Sequence, residues 1–106
     1  MTGDVLAGLV ETIRARRSAT GDTSYTRQLL DKGVERCAKK FGEEAVEAVI
    51  AAMAQGDEQL RNESADVIYH LLVLLESRNI AFDDVLEVLE SRKRQSGLEE
   101  KAGRSK

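Results

Sequence analysis

Five carboxylates, Glu43, Glu44, Glu47, Glu63 and Asp66, define the chemistry this sequence is able to support. In a helix, residues three and four apart share a face, so Glu44 with Glu47, Glu43 with Glu47, and Glu63 with Asp66 project side by side. Each group is followed by an apolar run, Ala48-Val49-Ile50-Ala51-Ala52-Met53-Ala54 after the first and Val67-Ile68-Tyr69-His70-Leu71-Leu72-Val73-Leu74-Leu75 after the second. A helix that is apolar all round is buried, which predicts that the acids sit at the mouth of a core. Carboxylates crowded there repel one another and lose water, and a divalent cation relieves both costs. An all-oxygen site suits Mg²⁺ or Mn²⁺ rather than zinc or copper.

The elements that must position these acids follow from periodicity. From Tyr25 to Gln55 the pattern is helical, with Gly33 as a weak point where two helices would join or kink at little cost. Val34, Cys37, Ala38, Phe41, Ala45, Ala48, Val49 and Ala52 form one stripe; Glu44 lies at its edge, with Lys40, Glu47 and Glu43 in the adjoining sector. Lys40 is either an ion-pair partner of Glu44 or a phosphate contact beside the metal. Gly56 is expected to stop this helix and Asp57 to cap the next. So short a turn forces the two helices antiparallel and brings Glu63 and Asp66 back alongside Glu43, Glu44 and Glu47. Glu47 lies nine residues before Gly56 and Glu63 seven after it, so their heights along the hairpin nearly match. His70 shares the face of Asp66, four residues on, either as a hydrogen-bonded packing residue or as a ligand-contacting or acid–base group.

On either side of this hairpin the signals are shorter. Asp4 is expected to cap a first helix built on Leu6, Leu9, Val10 and Ile13. It ends in Arg14, Arg16 and Arg17, where the helix dipole favours positive charge and where a phosphate contact is the alternative. Residues 18–24 are small and polar and read as a loop, with Ser24 as the N-cap of the helical stretch that begins at Tyr25. Residues 79–83 break the third helix, and Asp83 or Asp84 is expected to cap a fourth built on Val85, Leu86, Val88 and Leu89. Residues 91–106 form a polar, basic tail of the kind that is usually flexible.

Composition narrows the class. With 106 residues, no proline, two phenylalanines, two tyrosines and a third of the chain charged, the sequence predicts one all-α domain spanning 1–106. A net charge of −3 argues against nucleic-acid binding. The single cysteine, Cys37, has no internal disulfide partner and reads as a small hydrophobe in a reduced compartment. No basic-then-apolar leader and no apolar run of about 20 residues is present, so no membrane role and a cytoplasmic location are expected.

The pattern Glu43-Glu44-x-x-Glu47 with Glu63-x-x-Asp66 resembles the signature of the all-α, MazG-type nucleotide pyrophosphohydrolases. The surrounding text is more specific. Ser24-Tyr25-Thr26-x-x-Leu29, Gly33, Lys40-x-Gly42, Tyr69-His70-Leu71-Leu72-Val73-Leu74-Leu75 and Ser96-Gly97-Leu98-Glu99-Glu100-Lys101-Ala102-x-Arg104 are similar to the phosphoribosyl-ATP pyrophosphohydrolase family, in its stand-alone form. The resemblance implies a four-helix, MazG-like bundle completed by homodimerisation. It also implies Mg²⁺-dependent hydrolysis of the α–β phosphoanhydride of phosphoribosyl-ATP, the second step of histidine biosynthesis. On that reading Glu44, Glu47, Glu63 and Asp66 are the metal ligands, and Glu43 either completes the shell or takes a proton from the attacking water. Lys40, Lys101, Arg104 and Ser24 would hold phosphates, with Ser24, Tyr25 and Thr26 at a helix N-terminus where free N–H groups favour anions. The apolar hairpin gives a separate reason to expect a dimer, because four short helices offer too few partners to cover it. Two other readings compete: a house-cleaning nucleoside triphosphate pyrophosphohydrolase with a like metal site, and a non-catalytic helical dimerisation module whose acids are merely solvated.

Overall fold

The structure is a computed structural model that describes residues 2–94, with side chains from Val5 onward. Five helices and no strands occur among the described residues: α1 (Thr2–Ser18), α2 (Tyr25–Lys32), α3 (Val34–Ala54), α4 (Asp57–Ser77) and α5 (Phe82–Lys93). The all-α expectation holds. The helical stretch from Tyr25 is divided at Gly33, the join being the alternative that holds, because Gly33 adopts φ 93°, a region that a side chain makes costly, and donates its N–H to Leu30 O instead of continuing the helix.

Several helix ends fall away from the residues expected to cap them. The first helix begins at Thr2, so Asp4 lies within it. Gly56, in extended conformation, is the N-cap of α4, and Asp57 is already helical. Ala81 is the N-cap of α5, which places Asp83 and Asp84 in its first turn, and α5 runs on to Lys93, into the stretch expected to be tail. Ser24 does cap α2, its hydroxyl accepting the Arg27 N–H at 3.1 Å. The end of α4 is a Schellman motif: Asn79 at φ 59° sends its N–H to Glu76 O, and Ile80 sends its own to Leu75 O, each at 3.0 Å.

The α3–α4 hairpin is the frame, and α1 and α2 pack over its open end. There Ile13, Leu29, Cys37, Leu72 and Val73 form the buried core, with Leu6, Leu9, Val10, Leu30, Tyr69, Leu74 and Phe82 packed around it. Each fully buried aliphatic side chain contributes roughly 1.5–3 kcal/mol. Cys37 behaves as expected of a small core residue: its thiol is buried, reaches Leu29 O at 3.3 Å, and is pushed up in pKa by that burial. Arg17, at the end of α1, ties down the end of α4 by donating to Glu76 O at 2.7 Å, Glu76 Oε2 at 2.9 Å and Asn79 Oδ1 at 2.7 Å. Its arginine neighbours also have protein partners, Arg14 at Glu76 and Arg16 at Asp22.

The two apolar runs differ from the expectation that both are buried throughout. Leu72, Val73 and Ala51 are buried, whereas Val49 is 62% exposed, Met53 is 83% exposed, and Ile50 and Ile68 are also open. The hairpin is long, and α1 and α2 reach only the half away from its turn. No buried residue is contributed by α5, whose Leu86, Val88 and Leu89 stay exposed. No helix among the described residues is long and apolar enough to cross a membrane.

Candidate functional site

The carboxylates converge where the covered half of the hairpin meets the uncovered half. Two helical turns of α3 carry Glu43, Glu44 and Glu47, and one turn of α4 carries Glu63 and Asp66. A two-residue connection, Gln55 and Gly56, sets the register between them. One carboxylate oxygen from each of Glu44, Glu63 and Asp66 lies within 4.8 Å of the others. Glu44 and Glu63 are half-buried and Asp66 is exposed. Glu47, one turn along α3 from Glu44, is near enough for its charge to act on both Glu44 and Glu63.

The electrostatics are those of a site short of positive charge. Burial raises the Glu44 carboxyl above its ordinary value, and so do the proximity of the Glu47 carboxyl, by sharing a proton and by its charge, and the charge of Asp66, while His70 would pull the other way in its charged form. The Glu63 carboxyl is raised by burial, then by the charges of Glu47 and Asp66. Glu63 Oε2 is also a buried side-chain oxygen with no hydrogen-bond partner among the described residues. A buried, unpartnered oxygen on a carboxylate that belongs to such a group is the kind of donor a hard cation requires. This set could hold Mg²⁺ or Mn²⁺.

Around this group the remaining sequence candidates take distinct places. Lys40 pairs with Glu43, Nζ to Oε1 at 3.2 Å, and not with Glu44 as the first alternative had it. At helical spacing both residues are reachable, lying i,i+3 and i,i+4 from Lys40, and Glu44 is drawn into the acid group instead. The Lys40 amine is held above its ordinary pKa by that bond to Glu43 and by the nearby Tyr25. His70 is buried: Nδ1 meets Asp66 O at 2.8 Å and Nε2 meets the Tyr25 hydroxyl at 3.2 Å. Both ring nitrogens therefore have protein partners, which is the packing alternative. Thr26 is buried and its hydroxyl bonds to that of Tyr69. Ser24 accepts the α2 cap bond, and Tyr25 is half exposed above His70. Lys101 and Arg104 lie outside the described residues.

Sequence reading gave Tyr69 no role of its own. Its ring stands edge-on to His70 at 4.9 Å between centroids and stacks on Tyr25 at 6.4 Å, which makes it the floor on which Tyr25 rests. The signal was present in its position three residues after Asp66, on the same face of α4.

Comparison with known proteins identifies the family. The profile of the phosphoribosyl-ATP pyrophosphohydrolases (PRA-PH) matches residues 6–93, a span that takes in both acidic groups. The phosphoribosyl-ATP pyrophosphatase 1 of Bradyrhizobium diazoefficiens is 58% identical over 96 residues, 91% of each chain. The phosphoribosyl-ATP pyrophosphatase of a Ruegeria species is 52% identical over 102 residues, 96% of this chain and 97% of that one. A third, from Dinoroseobacter shibae, is 54% identical over 100 residues, 94% of this chain and 98% of the other. With a family profile covering most of its length and such relatives matched nearly end to end, the chain belongs to the phosphoribosyl-ATP pyrophosphohydrolase family.

Proposed function

We propose that this protein hydrolyses phosphoribosyl-ATP between its α and β phosphates, releasing pyrophosphate and phosphoribosyl-AMP, as the second step of histidine biosynthesis. Mg²⁺, or Mn²⁺ in its place, is the cofactor, and two copies of the chain form the working enzyme. The observation that carries the reading is the unpartnered, buried Glu63 Oε2 within a carboxylate group shared by two helices. Solvated surface acids, as in a non-catalytic module, would have no reason to be desolvated.

Each residue then has a role. Glu44, Glu47, Glu63 and Asp66 hold the cation from both sides of the hairpin. When bound, the cation supplies positive charge to the phosphate oxygens, the main requirement of phosphoryl chemistry. Glu43 stands next to this set and is tethered by Lys40. It takes the proton of the attacking water as the new P–O bond forms and the anhydride bond breaks, with pyrophosphate leaving on its own oxygen. Lys40, at the same edge, holds phosphate oxygens, joined by Lys101 and Arg104 of the basic tail.

The dimer accounts for the uncovered apolar surface. Val49, Ile50 and Met53 stand at helical spacing on one exposed side of α3, and Ile68 of α4 is exposed as well. A second copy laid against the hairpin would cover them beside the acidic group.

The test is to offer the purified protein phosphoribosyl-ATP and the ordinary nucleoside triphosphates with Mg²⁺ and to measure pyrophosphate release from each. Release from phosphoribosyl-ATP well ahead of the others is expected. Faster release from an ordinary triphosphate would make this a house-cleaning hydrolase, and no Mg²⁺-dependent release from any would sink the enzymatic reading.

A further inference from the structure

Tyr25 is half exposed beside the acidic group, yet its hydroxyl is already committed. Asp66 O is a carbonyl and can only accept, so the proton on the His70 ring sits on Nδ1, 2.8 Å away. In the neutral ring Nε2 is then an acceptor, and the Tyr25 hydroxyl, 3.2 Å from it, must donate its single proton there. What Tyr25 has left is an oxygen lone pair and an exposed ring, 49% of the residue being open to solvent. Phosphate oxygens are acceptors and need donors, so beside a neutral His70 ring this hydroxyl has no proton to offer them. A purine base and a ribose are different: the base has a face to stack on, and amino and hydroxyl groups have protons to donate.

The supports of Tyr25 fit that role. Its ring is backed by Tyr69, nearly parallel at 21°, and met edge-on by His70 at 77°. Tyr69 is held in turn by Thr26 from the first turn of α2. The ring is thus fixed before any ligand arrives, which lowers the ordering cost of stacking. Lys40, the cation at this edge, is paired with Glu43 and lies close enough to feel Tyr25, so phosphate and nucleoside would meet at the boundary between these two residues.

We propose that Tyr25 is a substrate-binding residue for the nucleoside end, stacking on the purine and accepting a hydrogen bond from it or its ribose, with His70 as the positioning residue that fixes the hydroxyl. This separates Tyr25 from the phosphate-holding role that the helix N-terminus first indicated. The inference rests on the proposed nucleotide substrate, but its test does not require turnover.

Two probes separate the ends of the substrate: adenosine, which has no phosphate, followed by ligand-observed NMR, and tripolyphosphate, which has no base, followed by calorimetry with Mg²⁺ present. In the full-length protein, Tyr25→Ala is expected to weaken adenosine at least tenfold and leave tripolyphosphate within twofold. Tyr25→Phe keeps the ring and its seat on Tyr69, and is expected to weaken adenosine about threefold and tripolyphosphate not at all. Lys40→Ala should show the opposite preference. Adenosine binding that is absent in the wild type, or unchanged in Tyr25→Ala, overturns the inference, as does a Tyr25→Phe loss equal for both probes. If adenosine binds through Tyr25 while phosphoribosyl-ATP is not hydrolysed, the inference stands and the proposed reaction falls.

Discussion

The two halves of the α3–α4 hairpin are nearly equal in apolar content and opposite in circumstance. The half away from the turn carries Cys37, Leu72 and Val73, all buried beneath α1 and α2. Near the turn, Val49, Ile50 and Met53 face outward, with no helix of the described chain across them. The acidic group lies between the two. Hydrophobic residues therefore stand in two settings in one pair of helices: they close the core of the chain at one end and are left open to solvent at the other. At the border, two carboxylates, Glu44 and Glu63, are half withdrawn from water, which is the basis of the proposed cation site.

Substitution at the border itself is expected to have the largest effect. Asp66→Asn or Glu47→Ala should reduce Mg²⁺-supported pyrophosphate release by roughly a hundredfold or more, because each removes a charge that holds the cation. Activity within a few-fold of wild type in both variants would leave the acids with no metal role. Next come the two apolar ends. Leu72→Ala should cost about 2–5 kcal/mol in denaturant unfolding, as a cavity in a closed core does. Met53→Asp should leave the fold of one chain intact and convert a dimer to a monomer in light scattering. If it changes neither mass nor stability, the outward surface is not an interface.

A smaller effect distinguishes the border by pH. Glu44 and Glu63 titrate above their ordinary values in the folded chain, so the folded state binds more protons than the unfolded state between the ordinary carboxylate range and those raised values. Their contribution to stability is therefore present in mild acid and lost as pH rises through the folded values towards neutrality. Cation-free protein is expected to melt at a higher temperature in mild acid than at neutral pH, and Mg²⁺ to remove the difference by stabilising the neutral-pH form. Identical melts with and without Mg²⁺ would remove the motive for a metal site. The melts must be compared above the ordinary carboxylate range, since Asp22 is shifted down by its bonds to Ser24 and contributes with the opposite sign. The smallest effect is expected at the closed end: Arg17→Ala should cost about 1 kcal/mol, the side chain being partly exposed and its bonds partly screened.

Much of this was legible in the chain. Helical spacing placed Glu44 with Glu47 and Glu63 with Asp66, and the brief turn at Gly56 brought the pairs together. Gly33 was correctly a break, because no other residue takes φ 93° so cheaply. The aspartates were less legible. Asp57, Asp83 and Asp84 lie in first turns rather than at caps, since the helix dipole favours a carboxylate there as well and spacing does not separate the two.

By itself, then, the sequence determined the helices, the acidic pairs and the antiparallel hairpin that joins them, because these depend on neighbours within a few residues or across one tight turn. The tertiary structure decided which apolar stretch is covered, that Lys40 meets Glu43, that Arg17 clasps the end of α4, and that the Tyr25 hydroxyl meets His70. Each of those is a choice among partners distant in sequence or equally reachable in a helix, and only packing α1 and α2 onto the hairpin brings one of them within bonding distance and excludes the rest.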